Sequence, residues 1–165
     1  MKESDGERRF WIIVSSAENF ARTASLGFTV KGLKSRHRKK ADRMRPGDRF
    51  IYYVTGKKAF AAVATVKSRY FESHERIWES SDASKGGEEY PFRVKISADL
   101  VLDSEQFQPA EELARQMDYA RKWPAEHWTL AFQGNVHEVH VPDFELIRGA
   151  IASRASGSLS HGTTV

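Results

Sequence analysis

A short basic segment is the feature of this sequence with the clearest chemical meaning. Residues 31–49 carry a net charge of +7, whereas the whole chain of 165 residues carries only +4. Clustered lysine and arginine side chains gain free energy by displacing condensed counterions from phosphates. The segment therefore points to a polyanion partner, although a solvated helix face can carry a similar run of charge.

Three aromatic residues near or beyond this segment lie outside any clear strand or helix pattern. Phe28 follows Gly27, Trp78 lies in the irregular stretch HERIWESS, and Trp123 precedes a proline. An aromatic ring in a loop beside a basic surface is suited to stacking on a nucleobase. Each ring can equally belong to a small hydrophobic cluster beneath a loop. Trp11 and Trp128, on expected strands, are assigned to the core.

Other kinds of chemistry find little support in the sequence. His137 and His140 are one residue too close for a His-Glu-x-x-His zinc motif, and on a strand they face opposite sides. There is no P-loop and no nucleophile-elbow motif, and the absence of cysteine excludes thiolate sites. We therefore expect no metal, no cofactor and no catalytic residue.

Hydrophobic periodicity predicts the elements that must position these groups. Stretches rich in β-branched and aromatic residues, or alternating apolar and polar residues, predict strands over 10–14, 49–54, 59–66, 92–102, 128–132 and 136–141. Short helices are expected after Ser16, after Ser35 and from Pro109, and a closing helix is expected from Pro142. A polar loop is expected over 80–89.

Composition and length indicate one domain with a substantial core. Many short strands without βαβ alternation favour a small closed or partly open barrel. The lack of cysteine, of a signal peptide and of a long apolar run leads us to expect a soluble cytoplasmic protein that is a monomer and does not contact membranes.

Seven segments in order carry a family resemblance. They are RFWIIVSSAENF, GFTVKG, MRPGDRFIYYVTG, AAVATVKSRYFES, YPFRVKI, RKWPAEHW and HEVHVPDFELIRGAI. Together they resemble the EVE domain, a member of the PUA-like superfamily related to the YTH readers of methylated RNA. The resemblance implies an α+β fold, a PUA-like mixed β-barrel of about six strands with peripheral helices. The resemblance covers the domain at 8–152, and residues 1–7 before it are expected to be a flexible N-terminus. Residues 153–165 lack helical periodicity and are expected to be a flexible tail without regular structure.

Proteins of this kind bind nucleic acid that carries a modified base, flipped into a pocket on the barrel. Carried over to this chain, the resemblance implies a base pocket formed by Ser15, Ser16, Asn19, Phe28, Thr29, Trp78 and Trp123. It also implies that Phe28 and Trp78 face each other across a solvent-open pocket. Together with the charge argument, it implies a phosphate-binding set of Lys31, Lys34, Arg36, His37, Arg38, Lys39 and Lys40.

The function expected is non-catalytic binding of DNA or RNA through a modified base, methylated or hydroxymethylated. The alternative is an enzyme or accessory domain acting on RNA or nucleotides, with Glu18, Tyr52 or Tyr53 supplying an acid or base in the same pocket. A third possibility is a protein-interaction module, which would have no deep aromatic pocket.

Overall fold

A computed structural model describes residues 8–79 and 90–163, with side chains as far as Ala155. The predicted flexible N-terminus at 1–7 and the predicted polar loop at 80–89 lie outside the described residues. The strands are β1 Phe10–Ser15, β2 Val30–Leu33, β3 Arg49–Val54, β4 Ala59–Val66, β5 Phe71–Glu72, β6 Phe92–Val101, β7 Gln108–Pro109 and β8 Val136–Val139. The α-helices are α1 Ala17–Ser25, α2 Arg38–Arg43, α3 Glu111–Ala114 and α4 Val141–Thr163.

The strands form one mixed sheet in the order β2-β6-β4-β3-β1-β8, with β5 beside β6 and β7 beside β4. Strands β1 and β3 are parallel, and the other pairs are antiparallel. The sheet curls into a half-barrel. Its two edge strands approach each other where the Lys34 amide donates a hydrogen bond of 3.4 Å to Asn135 Oδ1. The predicted α+β, PUA-like architecture is confirmed.

The sheet separates two hydrophobic cores because successive side chains of a strand point to opposite faces. On β1, Trp11 and Ile13 belong to one core, whereas Phe10, Ile12 and Val14 belong to the other. The second core is covered by α4, whose Phe144, Ile147 and Ile151 are fully or almost fully buried. The core of Trp11 lies beneath α1, which precedes the basic segment, and α2, which belongs to it. Both faces of the sheet are thus buried, which holds the strand ends rigidly.

Three predicted elements differ from the structure. Residues 128–132, predicted to be a strand, belong to the 3₁₀ helix Ala125–Phe132, which is kinked at His127. Pro109 lies on a short strand, and the helix predicted to start there begins at Glu111. The closing helix continues to Thr163 through most of the predicted tail, so the expectation that 153–165 lacks regular structure is wrong, while its flexibility stays a prediction.

Strand β2 was missed by the sequence analysis, because its residues lie in the charged segment and show no clear alternation. Its register with β6 places Lys31 opposite Val94 and Gly32 opposite Arg93. Within the described part of the chain, no helix is long and apolar enough to cross a membrane.

Candidate nucleic-acid interface

A polar cavity of about 110 Å³ opens at the carboxyl ends of the parallel strands β1 and β3. Strand β1 brings Ser15 to its edge, and Thr55 follows β3 directly. The lining residues are Val14, Ser15, Ser16, Asn19, Lys31, Lys34, Thr55, Tyr90, Gly134 and Asn135. The resemblance named three of these as base-pocket residues: Ser15, Ser16 and Asn19.

Asn135 closes one side of the cavity by joining three elements. Its backbone carbonyl accepts a hydrogen bond of 2.9 Å from the Val14 amide, and its side-chain Nδ2 lies 3.5 Å from the Val14 carbonyl oxygen. Its Oδ1 accepts from the Lys34 amide, as described above. Because Asn135 is 4% exposed and satisfied by backbone partners, it supports the strand ends and holds the wall in place.

Ser16 and Asn19 build the opposite wall from the start of α1. Ser16 caps the helix, since its Oγ accepts a hydrogen bond of 3.1 Å from the Asn19 amide. Asn19 Nδ2 donates to the Glu79 carbonyl at 2.7 Å, and its Oδ1 accepts from the Glu79 amide at 3.0 Å and from Arg22 at 2.7 Å. The amide of Asn19 is therefore used mainly to hold the chain that follows Trp78.

Trp78 is 3% exposed and lies one layer behind the cavity wall. Its Nε1 donates a hydrogen bond of 2.9 Å to Thr23 Oγ1, and its ring packs on Gly32. A Cβ atom at residue 32 would lie 2.6 Å from the Trp78 ring, so only glycine allows this approach. Tyr90 is the aromatic residue that lines the cavity, with its ring centroid 6.1 Å from that of Trp78.

The expectation that Phe28 faces Trp78 across an open pocket is wrong. Phe28 is 6% exposed and packs edge-on against Phe20 and Tyr52, at centroid distances of 5.3 and 5.9 Å. Thr29 is exposed, and its Oγ1 donates to the Leu26 carbonyl at 2.8 Å. Neither residue lines the cavity. The backbone turn with positive φ at Gly27 and Phe28 directs the phenyl ring into the core.

Trp123 also lies away from this cavity. It lines a second cavity of about 200 Å³ together with Trp128, Arg115 and Arg121. The ring of Trp123 is 5.7 Å from that of Tyr119. Trp128 is partly buried against the core, as the sequence analysis expected, although it lies on a 3₁₀ helix.

Lys31 is the least expected member of the cavity. Its side chain is 1% exposed, and its Nζ lies 5.5 Å from the ring centroid of Trp78 and 5.6 Å from that of Tyr90. Burial, and then the like charge of Lys34, lower the pKa of Lys31 from 10.5 to about 7. The sequence analysis placed this residue on an exposed phosphate-binding surface, whereas the structure buries it in the cavity wall.

The remaining cations of residues 31–49 differ in their exposure to solvent and in their distance from the cavity. Arg36, Arg38 and Lys39 are exposed on the turn and helix beyond the cavity. Lys34 lines the cavity, with its Nζ 5.7 Å from the Tyr90 centroid. Arg43 forms an ion pair of 2.6 Å with Glu138, so it contributes less free charge to this face.

His37 and Lys40 lie where α2 meets β8. Lys40 Nζ donates a hydrogen bond of 2.8 Å to the Val136 carbonyl. Burial, followed by the positive charges of Lys40, Arg36 and Lys34, lowers the pKa of His37 to about 4. His37 is therefore neutral at pH 7 and adds no charge to a phosphate-binding surface.

The residues proposed for an acid or base role do not converge on the cavity. Glu18 is exposed on α1 and does not line it. Tyr52 is fully buried in the core, where burial raises its pKa, and burial raises the pKa of Tyr53 to about 12. Among the described residues, no group of three or more histidines, aspartates or glutamates is arranged to hold a metal ion.

Sequence reasoning missed five lining residues: Val14, Thr55, Tyr90, Gly134 and Asn135. Val14, Thr55 and Tyr90 belong to the segments RFWIIVSSAENF, MRPGDRFIYYVTG and YPFRVKI, and Gly134 and Asn135 directly precede β8. A signal was thus present for all five, since turns that follow or precede strands at one edge of a sheet often meet there.

Comparison with known proteins identifies the family of this chain. The profile of the EVE domain family matches residues 9–150. The UPF0310 protein PH1033 of Pyrococcus horikoshii is 25% identical over 149 residues, covering 84% of this chain and 95% of that protein. The matched profile confirms the family resemblance found in the sequence.

Two solved YTH domains have the same fold. The Pho92 YTH domain in complex with m6A superposes with a TM-score of 0.62 at 15% identity, covering 88% of this chain and 84% of that chain. The YTH domain of the Zygosaccharomyces rouxii MRB1 protein, in complex with N6-methyladenosine RNA, has a TM-score of 0.58 at 16% identity, with 86% and 85% covered. At these identities the similarity establishes the fold alone.

Proposed function

Because this chain belongs to the EVE domain family, we propose that it binds a nucleic acid, DNA or RNA, by holding one modified base in the cavity between β1, β3 and β8. The observation that carries the proposal is the continuity of this cavity with the exposed cations. Lys34 lines the cavity, and Arg36, Arg38 and Lys39 follow it within one short turn and helix. Two YTH domains with this fold are complexed with m6A and with N6-methyladenosine RNA, which supports a modified base as the ligand.

The exposed cations would bind the phosphates on either side of the bound nucleotide. Phosphate contacts fix the position of a strand but carry no sequence information. Each neutralised phosphate contributes to affinity through counterion release, which makes binding depend on salt. Discrimination between bases must therefore come from the cavity.

The cavity would receive a base that has left the stack. Extruding a base costs a few kcal/mol, and least when it is already unpaired. Stacking on an aromatic side chain returns about 1 to 3 kcal/mol per base. Tyr90 is positioned for this contact at the cavity wall, and the cations Lys31 and Lys34 lie over its ring. A single-stranded target is favoured because the cost of extrusion is smallest there.

Binding without turnover fits the side chains of the cavity wall. Its lining consists of hydroxyl, amide, tyrosine and lysine groups, with no carboxylate among the described residues that line it. Glu18, the acid considered from the sequence, is directed elsewhere. The proposal is therefore a binding module in which the cavity reads the base and the basic segment holds the backbone.

A pair of substitutions at Thr55 tests the proposal. Thr55 is exposed at the cavity rim, so a tryptophan there fills the opening without entering the core, and alanine is the matched control. Binding is measured by fluorescence anisotropy with single strands that contain m6A, unmodified adenine, 5-methylcytosine, unmodified cytosine or an abasic site. We expect Thr55→Trp to bind every probe as weakly as the abasic strand, while Thr55→Ala behaves as wild type.

The abasic strand lacks one base and keeps every phosphate, so its affinity compared with that of the intact strands gives the contribution of the cavity. If wild-type protein binds the abasic strand as tightly as every base-containing strand, the proposed function is wrong. Nucleic acid recovered with the purified protein, followed by nucleoside mass spectrometry, then identifies which modification is enriched in wild type and lost in Thr55→Trp.

A further inference from the structure

Lys31 is a buried lysine for which the described part of the chain supplies no counter-charge. No ion pair to Lys31 is found within residues 8–79 and 90–155, and burial and Lys34 both disfavour its charged form. Within the described residues, two further cations lie over its aromatic neighbours: Lys34 over Tyr90, and Arg93, whose guanidinium carbon is 5.1 Å from the Trp78 centroid. Removing a charge from water without pairing it is costly.

Several polar groups near Lys31 are engaged with protein partners, whereas no hydrogen bond of the Lys31 ammonium to another described residue is found. Ser15 Oγ donates to the Ser16 carbonyl at 3.1 Å, and Asn135 and Asn19 are engaged as described above. Arg93, which does not line the cavity, donates to the Tyr90 carbonyl and to Ser73. A lysine ammonium has three donors and no acceptor, so its complement is an oxygen acceptor, ideally an anionic one.

The size of the cavity limits the group that brings this oxygen. An apolar cavity of about 150 Å³ holds one benzene molecule. The cavity beside Lys31 measures about 110 Å³ and is open on one side, so it matches a single six-membered ring with a small substituent. A purine fits less well unless part of it projects into solvent.

We propose that Lys31 makes this cavity selective for a pyrimidine that carries an exocyclic oxygen acceptor, most strongly a carboxylate such as that of 5-carboxylcytosine. The inference rests on the proposed function and specifies the class of modified base. The carboxylate supplies the counter-charge that Lys31 lacks, and the pyrimidine ring packs against Tyr90. A methyl group at the same ring position offers neither interaction.

The protonation of Lys31 gives the selectivity a pH dependence. With its pKa at about 7 in the free protein, Lys31 is partly neutral near pH 7. A bound carboxylate favours the protonated form, so binding takes up a proton above that pH. Among the described residues, the side chain of Lys31 lies against Trp78 and Tyr90, Lys34 is the charged group that shifts its pKa, and Arg93 lies over Trp78; none of these four is an acid that reverses this direction.

The test uses single strands of one sequence with cytosine, 5-methylcytosine, 5-carboxylcytosine or an abasic site at one position. For wild type we expect the 5-carboxylcytosine strand to bind about tenfold to a hundredfold more tightly than the 5-methylcytosine strand, as for a hydrogen bond to a charged group. This preference should decrease as the pH rises from about 6 to about 9. Lys31→Met keeps an unbranched side chain only one atom shorter, removes the charge and should abolish the preference.

Lys39→Met is the matched control, because it removes one positive charge from the exposed helix and should weaken binding to all four strands equally. Three results would overturn the inference. Wild type could prefer the methylated strand, or its preference for the carboxylated strand could be independent of pH. In the third, Lys31→Met would lose as much affinity for the abasic strand as for the 5-carboxylcytosine strand. The last result would mean that Lys31 binds a backbone phosphate. Failure of the proposed function is distinct, since all four strands would then bind wild type equally.

Discussion

Replacing Lys31 with methionine should stabilise the protein even though it removes a group that we assign to ligand binding. Lowering the pKa of Lys31 from 10.5 to about 7 corresponds to about 5 kcal/mol of unfavourable free energy for the charged form, at about 1.4 kcal/mol per tenfold change. The contacts of the ammonium with Trp78 and Tyr90 offset part of this, at about 0.5 to 2 kcal/mol each. We expect a net gain of about 2 to 4 kcal/mol at pH 7 for Lys31→Met.

For a chain of this length, such a gain raises the Tm by roughly 5 to 15 °C. The gain must also depend on pH. Unfolded chains keep Lys31 protonated up to about pH 10.5, whereas folded chains keep it protonated only below about pH 7. In the window between these values the unfolded state binds more protons, so wild-type stability rises with pH and the advantage of Lys31→Met decreases. Below about pH 7 the advantage should be constant.

Urea unfolding of wild type, Lys31→Met and the exposed control Lys39→Met, followed between about pH 6 and about pH 9, measures this difference. The control should match wild type within about 0.5 kcal/mol, as surface substitutions usually do. A Lys31→Met protein that is less stable than wild type, or whose advantage is the same at both ends of the pH range, would refute the reasoning. Either result would mean that Lys31 is already well compensated in the free protein.

Three further results are expected. The triple substitution of alanine for Arg36, Arg38 and Lys39 should weaken binding to modified, unmodified and abasic strands alike. It should also reduce the slope of log affinity against log salt by about two to three. An unchanged slope would contradict a phosphate-binding role. Gly32→Ala should lower the free energy of unfolding, measured in urea, by about 1 to 3 kcal/mol. The reason is that the added Cβ would lie 2.8 Å from the Tyr90 carbonyl oxygen as well as against Trp78. A variant as stable as wild type would show that the neighbouring atoms move aside without cost. Trp78→Ala should cost about 3 to 5 kcal/mol in thermal melts, as expected of a buried tryptophan, whereas a nearly unchanged Tm would restore its assignment as a solvent-facing cage residue.

The difference between the sequence prediction for Trp78 and its position in the structure has a simple cause. The sequence shows a tryptophan in an irregular stretch, and such a residue can face either solvent or core. Its burial depends on Gly32 and Thr23, which lie far away along the chain and provide a flat surface and a hydrogen-bond acceptor. The segment 128–132 was mistaken for a strand for a related reason, because its short apolar run fits a strand or a helix and its packing decides between them.

Several features could be predicted from the sequence: the strands β1, β3, β4, β6 and β8, the helix cap at Ser16, the concentration of charge in residues 31–49 and the EVE family resemblance. These features depend on periodicity, local hydrogen bonding, composition and short motifs, all of which are properties of neighbouring residues. The set of polar groups that meet at the cavity could not be predicted, because it depends on contacts between distant segments. Asn135 reaches Val14 across 121 positions, and Lys31 is buried because β2 pairs with β6 beneath Trp78 and Tyr90. The burial of a side chain depends on the assembled sheet. The sequence therefore shows Lys31 as one of several cations in residues 31–49, and only the pairing of the strands shows that it is buried in the cavity wall.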